Sequence, residues 1–170
     1  MTSDMTTPPP PVLPSKWPKT LGIVCVVWGA FGFVCNFSSL GDAEIAGLYS
    51  WLSFFVGLVT SVWLLWGSVL LLRRSPASRN VLLSWSVVEL ITIVALTLWG
   101  FMYIDQMVEL MKSNLQESVT KMDGDGTLKG MIYALTIGTA VMSSIIPLWV
   151  LLAMRNPAKR AEIEGWGSGG

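Results

Sequence analysis

Apolar residues gather into four long runs, Leu21–Leu40, Leu48–Leu72, Val81–Ile104 and Met131–Met154, separated by short polar connections and one long loop from Asp105 to Gly130. A helix crosses the hydrocarbon core of a bilayer in about 20 residues, so each run predicts one transmembrane helix. A second pattern follows the third run. From Ile104, the apolar residues Met107, Val108, Met111, Leu115, Val119 and Met122 recur every three or four positions, opposite Glu109, Lys112, Gln116 and Glu117. That period marks an amphipathic helix over residues 105–122. Joined straight to the third span it would make a helix of about 63 Å, against about 42 Å for a fourth span begun at Thr127. The mismatch predicts a bend near Asp105, with the amphipathic segment on the outer membrane face or across the bundle mouth. Its methionine stripe is alternatively a surface for docking a partner, because Met adapts to irregular surfaces. The expected fold class is an all-α membrane protein, with four transmembrane helices in a bundle plus one amphipathic extracytoplasmic helix.

Composition agrees: 52% of residues are hydrophobic and 13% charged, with a mean hydropathy of +0.60, far from the usage of soluble domains. The formal net charge is zero and no basic patch is interleaved with aromatics, so no nucleic-acid partner is expected. The lipid bilayer is the first partner implied. Lys and Arg fall two in the amino tail, three in the Arg73–Asn80 connection, three after the fourth span and none between the first two spans. The long loop holds three, diluted by five acids. By the positive-inside rule both termini and the middle connection face the cytoplasm of a multi-pass protein. "RRSPASRN" and "RNPAKR" each read as a helix stop, with Arg at the carboxyl end of the dipole and Pro barring continuation. Residues 1–19, with "TTPPPPVLPSKWP", form a disordered Pro-rich cytoplasmic tail whose PxxP spacing offers a docking peptide as the alternative. Residues 20–155 are the membrane domain, and 156–170 a cytoplasmic tail whose final "GWGSGG" carries no functional argument.

Candidate chemistry is sparse. The chain has no His, which removes most zinc and di-iron sites and His-ligated haem, and no cofactor is expected. Cys25 and Cys35 are ten residues apart, about 15 Å along a helix, too far to bridge. "KMDGDGTLKG" resembles part of a calcium loop, but aligning Asp123 and Asp125 to positions 3 and 5 puts Lys121 at position 1 and Ile132 at position 12. Two decisive carboxylates are then missing, so Asp123 and Asp125 are a weak calcium candidate and the segment reads as a tight turn. Glu89 breaks the membrane rule. It sits in the middle of the third span, where ionisable groups are costly and face protein or water. It is either protonated and hydrogen-bonded, beside a wet cavity, or paired with a cation on another subunit. Ser86 and Thr92 share part of its helix face, and Thr139 or Ser143 approach from the fourth span.

Close helix packing has its own signal, small residues at four-residue spacing. Span two carries Ser53, Gly57 and Ser61, and span four Gly130, Ala134 and Gly138. Trp17, Trp51, Trp85 and Trp149 fall near predicted interfaces as an aromatic belt, while Trp63 and Trp66 lie deeper. "PKTLGIVCVVWGAFGFVCN", "LLLRRSPASRNVLLSWSVVEL" and "IIPLWVLLAMRNPAKRAEI" together resemble a recurring pattern of small, uncharacterised bacterial four-span integral membrane proteins. That resemblance implies a fold and a bacterial inner (cytoplasmic) membrane, not an activity. No Ser/His, Cys/His or paired-carboxylate set converges within the spans, so an enzyme is not expected. The preferred expectation is an accessory or scaffolding subunit acting through helix-helix contacts, with other membrane proteins or a second copy as partners. The alternative is an oligomeric small-solute or proton-coupled transporter using Glu89.

Overall fold

The computed structural model describes residues 15–38, 40–105, 108–109 and 127–166, and their side chains except at 38, 40–50 and 128. Among these residues there is no strand, and five helices follow one another. They are α1 (Trp17–Ser38), α2 (Leu40–Leu72), α3 (Ser78–Met102), α4 (Thr127–Arg155) and α5 (Pro157–Gly165). The first four are long and apolar enough to span a bilayer, over Trp17–Phe37, Trp51–Leu72, Ser78–Met102 and Lys129–Arg155. Of the amphipathic segment 105–122, residues 105, 108 and 109 are described and helical. The rest of that segment, the Asp123/Asp125 turn and most of the Pro-rich tail lie outside the described residues.

Span ends shift by up to four residues from the sequence expectation, and two differences are larger. The first connection is helical almost throughout, because α2 begins at Leu40 rather than Leu48. At 33 residues α2 is about 50 Å long, so its first turns project beyond a hydrocarbon core of about 30 Å. The second difference is α5, in the segment expected to be a polar tail.

The two Arg-Pro motifs do different work. After α2, Ser75 N–H bonds Leu70 O at 2.9 Å and Arg74 N–H bonds Leu71 O at 3.0 Å. This is the paired closure of a Schellman cap, and it places Arg74 at φ 53°, the left-handed position usually given to Gly. After α4 the motif restarts a helix instead of only stopping one. Asn156 Oδ1 accepts from the N–H of Ala158 at 3.0 Å and of Lys159 at 3.4 Å, and Pro157 opens α5 where a missing N–H does no harm.

Packing follows the hairpins: α1 lies against α2, α3 against α4, and a smaller α2–α3 contact joins them. Glycines bring α1 close to α2. A Cβ at Gly22 would come within 2.7 Å of the Leu72 side chain, and one at Gly29 within 3.0 Å of Leu65. One shared core then gathers Leu21 and Cys25 of α1, Leu64 and Leu71 of α2, Leu82 and Trp85 of α3, Val150 and Met154 of α4, and Ile163 of α5. It lies at the end where α1 starts and α2 finishes, beside Arg73, Arg74, Arg79, Arg155, Lys159 and Arg160. Arg79 Nε donates to Met154 O at 3.4 Å across that end.

At the opposite end each hairpin closes on itself. Phe37 and Phe54 meet edge to face at 5.8 Å between α1 and α2. Ile104, Val108 and Ile132 cluster with Phe101 and Tyr133 between the end of α3 and the start of α4. Lys129 Nζ pairs with Asp105 at 2.5 Å beside them. The hairpins are therefore fastened together at the basic end and separately fastened at the other, which leaves room between them halfway along.

Candidate functional site

That room is a cavity of about 360 Å³ to which all four long helices contribute. From α1 come Trp28, Gly32, Cys35 and Asn36; from α2, Gly57, Thr60, Ser61 and Leu64; from α3, Trp85 and Glu89; and from α4, Thr139 and Ser143. Among the described residues lining it, none is Lys or Arg. The two ion pairs at hand, Lys129–Asp105 and Arg160–Glu164, sit at helix ends and do not involve Glu89.

Glu89 is half-buried on α3, with its carboxyl beside the side-chain hydroxyl of Thr60 on α2. Its Oε2 is buried with no hydrogen-bond partner among the described residues. One turn earlier, the Trp85 indole N–H donates to the main-chain oxygen of the same Thr60 at 2.9 Å. Thr60 thus meets α3 twice. Its hydroxyl also lies 3.2 Å from Gly57 O, to which it can donate. A hydroxyl has one proton to give, so it answers Glu89 in two ways. An ionised Glu89 accepts that proton. A protonated Glu89 donates to the Thr60 oxygen, which then donates to Gly57.

Other polar groups come from small residues and a broken ladder. Asn36 Nδ2 donates to Gly32 O at 2.8 Å, and its amide lies directly over Gly57, where a Cβ would collide with it. Ser61 faces α1, with its Oγ 3.0 Å from a Cβ built at Gly32. Pro147 is buried inside α4 and has no N–H for the carbonyl of Ser143, four residues earlier on the cavity wall.

The sequence candidates divide. Glu89, Gly57, Ser61, Thr139 and Ser143 line the cavity. Ser86 is buried but donates to Leu82 O of its own helix at 2.7 Å, and Thr92 lines a separate groove with Phe55 and Trp63. Ser53 Oγ is buried with no hydrogen-bond partner among the described residues. Gly130, Ala134 and Gly138 are exposed, and a Cβ added at either glycine meets nothing within 4 Å. Within this chain they do not reach span two. Among the described residues no three His, Cys, Asp or Glu side chains gather in a way that could hold a metal ion.

Several participants were not singled out by the sequence. Trp85, expected in an interfacial belt, is 2% exposed and bonded to Thr60, while Trp66, expected to pack between helices, is 62% exposed. Thr60 carried no signal of its own. At the basic end, Trp17 Nε1 donates to Glu162 Oε2 at 2.6 Å, its ring stacks on Trp166 at 6.3 Å, and Lys159 Nζ sits 5.0 Å over it. Trp166 belongs to the glycine-rich ending that had been set aside.

Comparison with protein-family models, with curated proteins and with solved structures returns no match.

Proposed function

We propose that this integral membrane protein is a small-solute or proton-coupled transporter whose four spans line a partly open chamber, with Glu89 as the exchanging group. The observation that carries this is the placement of an acid at mid-membrane on the wall of a cavity, beside Thr60 and without a cation to neutralise it among the described residues. A carboxyl so placed holds its proton until water or a cation reaches it, because ionising it without either is costly. The basic residues gathered at the closed end favour an orientation with both termini cytoplasmic. The chamber then opens toward the outer half. No catalytic chemistry is assigned.

Modification by a water-soluble carbodiimide, located by mass spectrometry, tests the chamber. An adduct at Glu89 in the folded protein is expected, because the reagent needs water to reach the carboxyl. Reaction only with a lipid-soluble carbodiimide would mean that Glu89 is sealed from water and serves packing.

One observation favours a second role, an accessory or scaffolding subunit. The open Gly130, Ala134 and Gly138 face of α4 has the spacing at which membrane helices approach closely. Purification in mild detergent with identification of co-purifying chains discriminates. A discrete stoichiometric partner favours the accessory role, and a homogeneous homo-oligomer with solute flux favours the transporter.

A further inference from the structure

The chamber's walls point to a ligand class, an inference that rests on the transporter reading above. Its volume of about 360 Å³ lies at the lower end of the range of about 300–1,000 Å³ typical of small-molecule sites. It is too roomy for a bare inorganic ion. A multivalent metal ion usually draws several carboxylates to its shell, whereas Glu89 is the one anionic group in the described lining, the other side-chain oxygens being neutral ones of Asn36, Thr60, Ser61, Thr139 and Ser143. The remaining wall is mixed in a particular way: Trp28, Phe31, Leu64 and Trp85 supply apolar and aromatic surface beside Glu89 and the hydroxyl of Thr60. Trp85 is held by its bond to Thr60 O, so its ring is fixed next to the acid. A hydrated ion would wet those rings to no advantage. A compact cation that carries its charge on carbon-clad nitrogen satisfies both sides, since it answers the carboxylate electrostatically and lies against aromatic rings.

We propose that the Glu89 chamber binds a small monovalent organic ammonium ion. Binding and protonation compete for the same carboxyl, so loading the cation releases the Glu89 proton, and reprotonation releases the cation. No bond is made or broken apart from that O–H.

The test uses the purified full chain in detergent, benzyltrimethylammonium as probe, and neopentylbenzene as a neutral molecule of the same shape. Isothermal calorimetry should show saturable one-to-one binding of the cation, tighter at higher pH. Neopentylbenzene should not bind. Glu89→Gln should weaken the cation by at least about tenfold, and Trp28→Leu by about three- to tenfold. Trp28 is 37% exposed, so its replacement leaves the fold intact. A melting temperature within the experimental scatter of the parent checks both variants. Equal binding of the neutral analogue, or affinity unchanged in Glu89→Gln, overturns the assignment. Absence of binding also overturns it, and the carbodiimide result then separates the cases. An adduct at Glu89 leaves the chamber standing with a different ligand, and its absence removes both.

Discussion

Ile163→Ala should undock α5 without disturbing the spans. Ile163 is 1% exposed in the shared core, yet it sits on a nine-residue helix, too short to persist alone in water. Undocked, its apolar surface faces water, whereas a span that loses a neighbour only exchanges protein for lipid. Docking of α5 is thus the step in this fold where the hydrophobic effect acts at full strength. The substitution removes three carbons at about 0.8 kcal/mol each, or about 2.4 kcal/mol before any cavity term. That corresponds to a rise of about 60-fold in the undocked population. Hydrogen exchange read by mass spectrometry measures it directly, since undocking and unfolding are the same event for so short a helix. Amides of 157–165 should lose about 60-fold in protection while those of α2 and α3 near Thr60 and Glu89 stay unchanged. Unaltered protection in α5 would refute the claim that Ile163 fastens it, and an equal loss in all helices would refute its independence.

The Glu164 carboxyl is held below the usual carboxylate range by the hydrogen bond from Arg160 at 2.7 Å. The stabilisation from this pair is therefore present above the ordinary Glu value and lost as pH falls through the lowered one. Carboxyl NMR should show that titration, and Arg160→Ala should return it to normal. Gly57→Ala should weaken the α1–α2 contact by about 1–3 kcal/mol through collision with Asn36, seen as a lower melting temperature. Gly138→Leu should leave the isolated chain within about 0.5 kcal/mol of the parent but displace any partner that packs on α4. For topology, exposed Ala77 and Thr127 serve as reporter positions. An impermeant maleimide should label Thr127→Cys but not Ala77→Cys in intact cells, and the reverse pattern would invert the orientation.

The spans were legible because apolar runs of this length have no other stable use, and their ends needed only charge and Pro. The fifth helix was not. In "PAKRAEIEG" the one large apolar residue is Ile163, which leaves no period to read, and the contact that fixes it joins Trp17 to Glu162 across 145 positions. Glu89 announced itself by breaking a rule, but its partner did not. Same-helix arithmetic points to Ser86 and Thr92, whereas the neighbouring hydroxyl is that of Thr60 on α2. Small-residue spacing was likewise ambiguous. It marks Gly57 and Ser61, which face α1, and equally Gly130 and Gly138, which meet nothing among the described residues.

The reason Thr60 escaped notice also explains why it matters. Ser68, Ser86, Thr97, Thr136, Thr139 and Ser144 each donate to a carbonyl four residues back in their own helix, at 2.6–2.8 Å. In an apolar surrounding that is the nearest acceptor, so most span hydroxyls say nothing about tertiary contacts. Thr60, besides its own local bond to Gly57 O, meets α3 twice where the hairpins begin to separate: its main-chain oxygen accepts from Trp85, and its hydroxyl lies beside Glu89. With lipid as the competing solvent, helix pairs gain little from apolar burial, and such interhelical hydrogen bonds carry a larger share of the joint. The Trp85 bond holds in either protonation state of Glu89. Between Glu89 and the hydroxyl the donor reverses when the proton leaves. The Thr60 hydroxyl can therefore answer either charge state of Glu89, while its main-chain oxygen keeps the α2–α3 bond from Trp85.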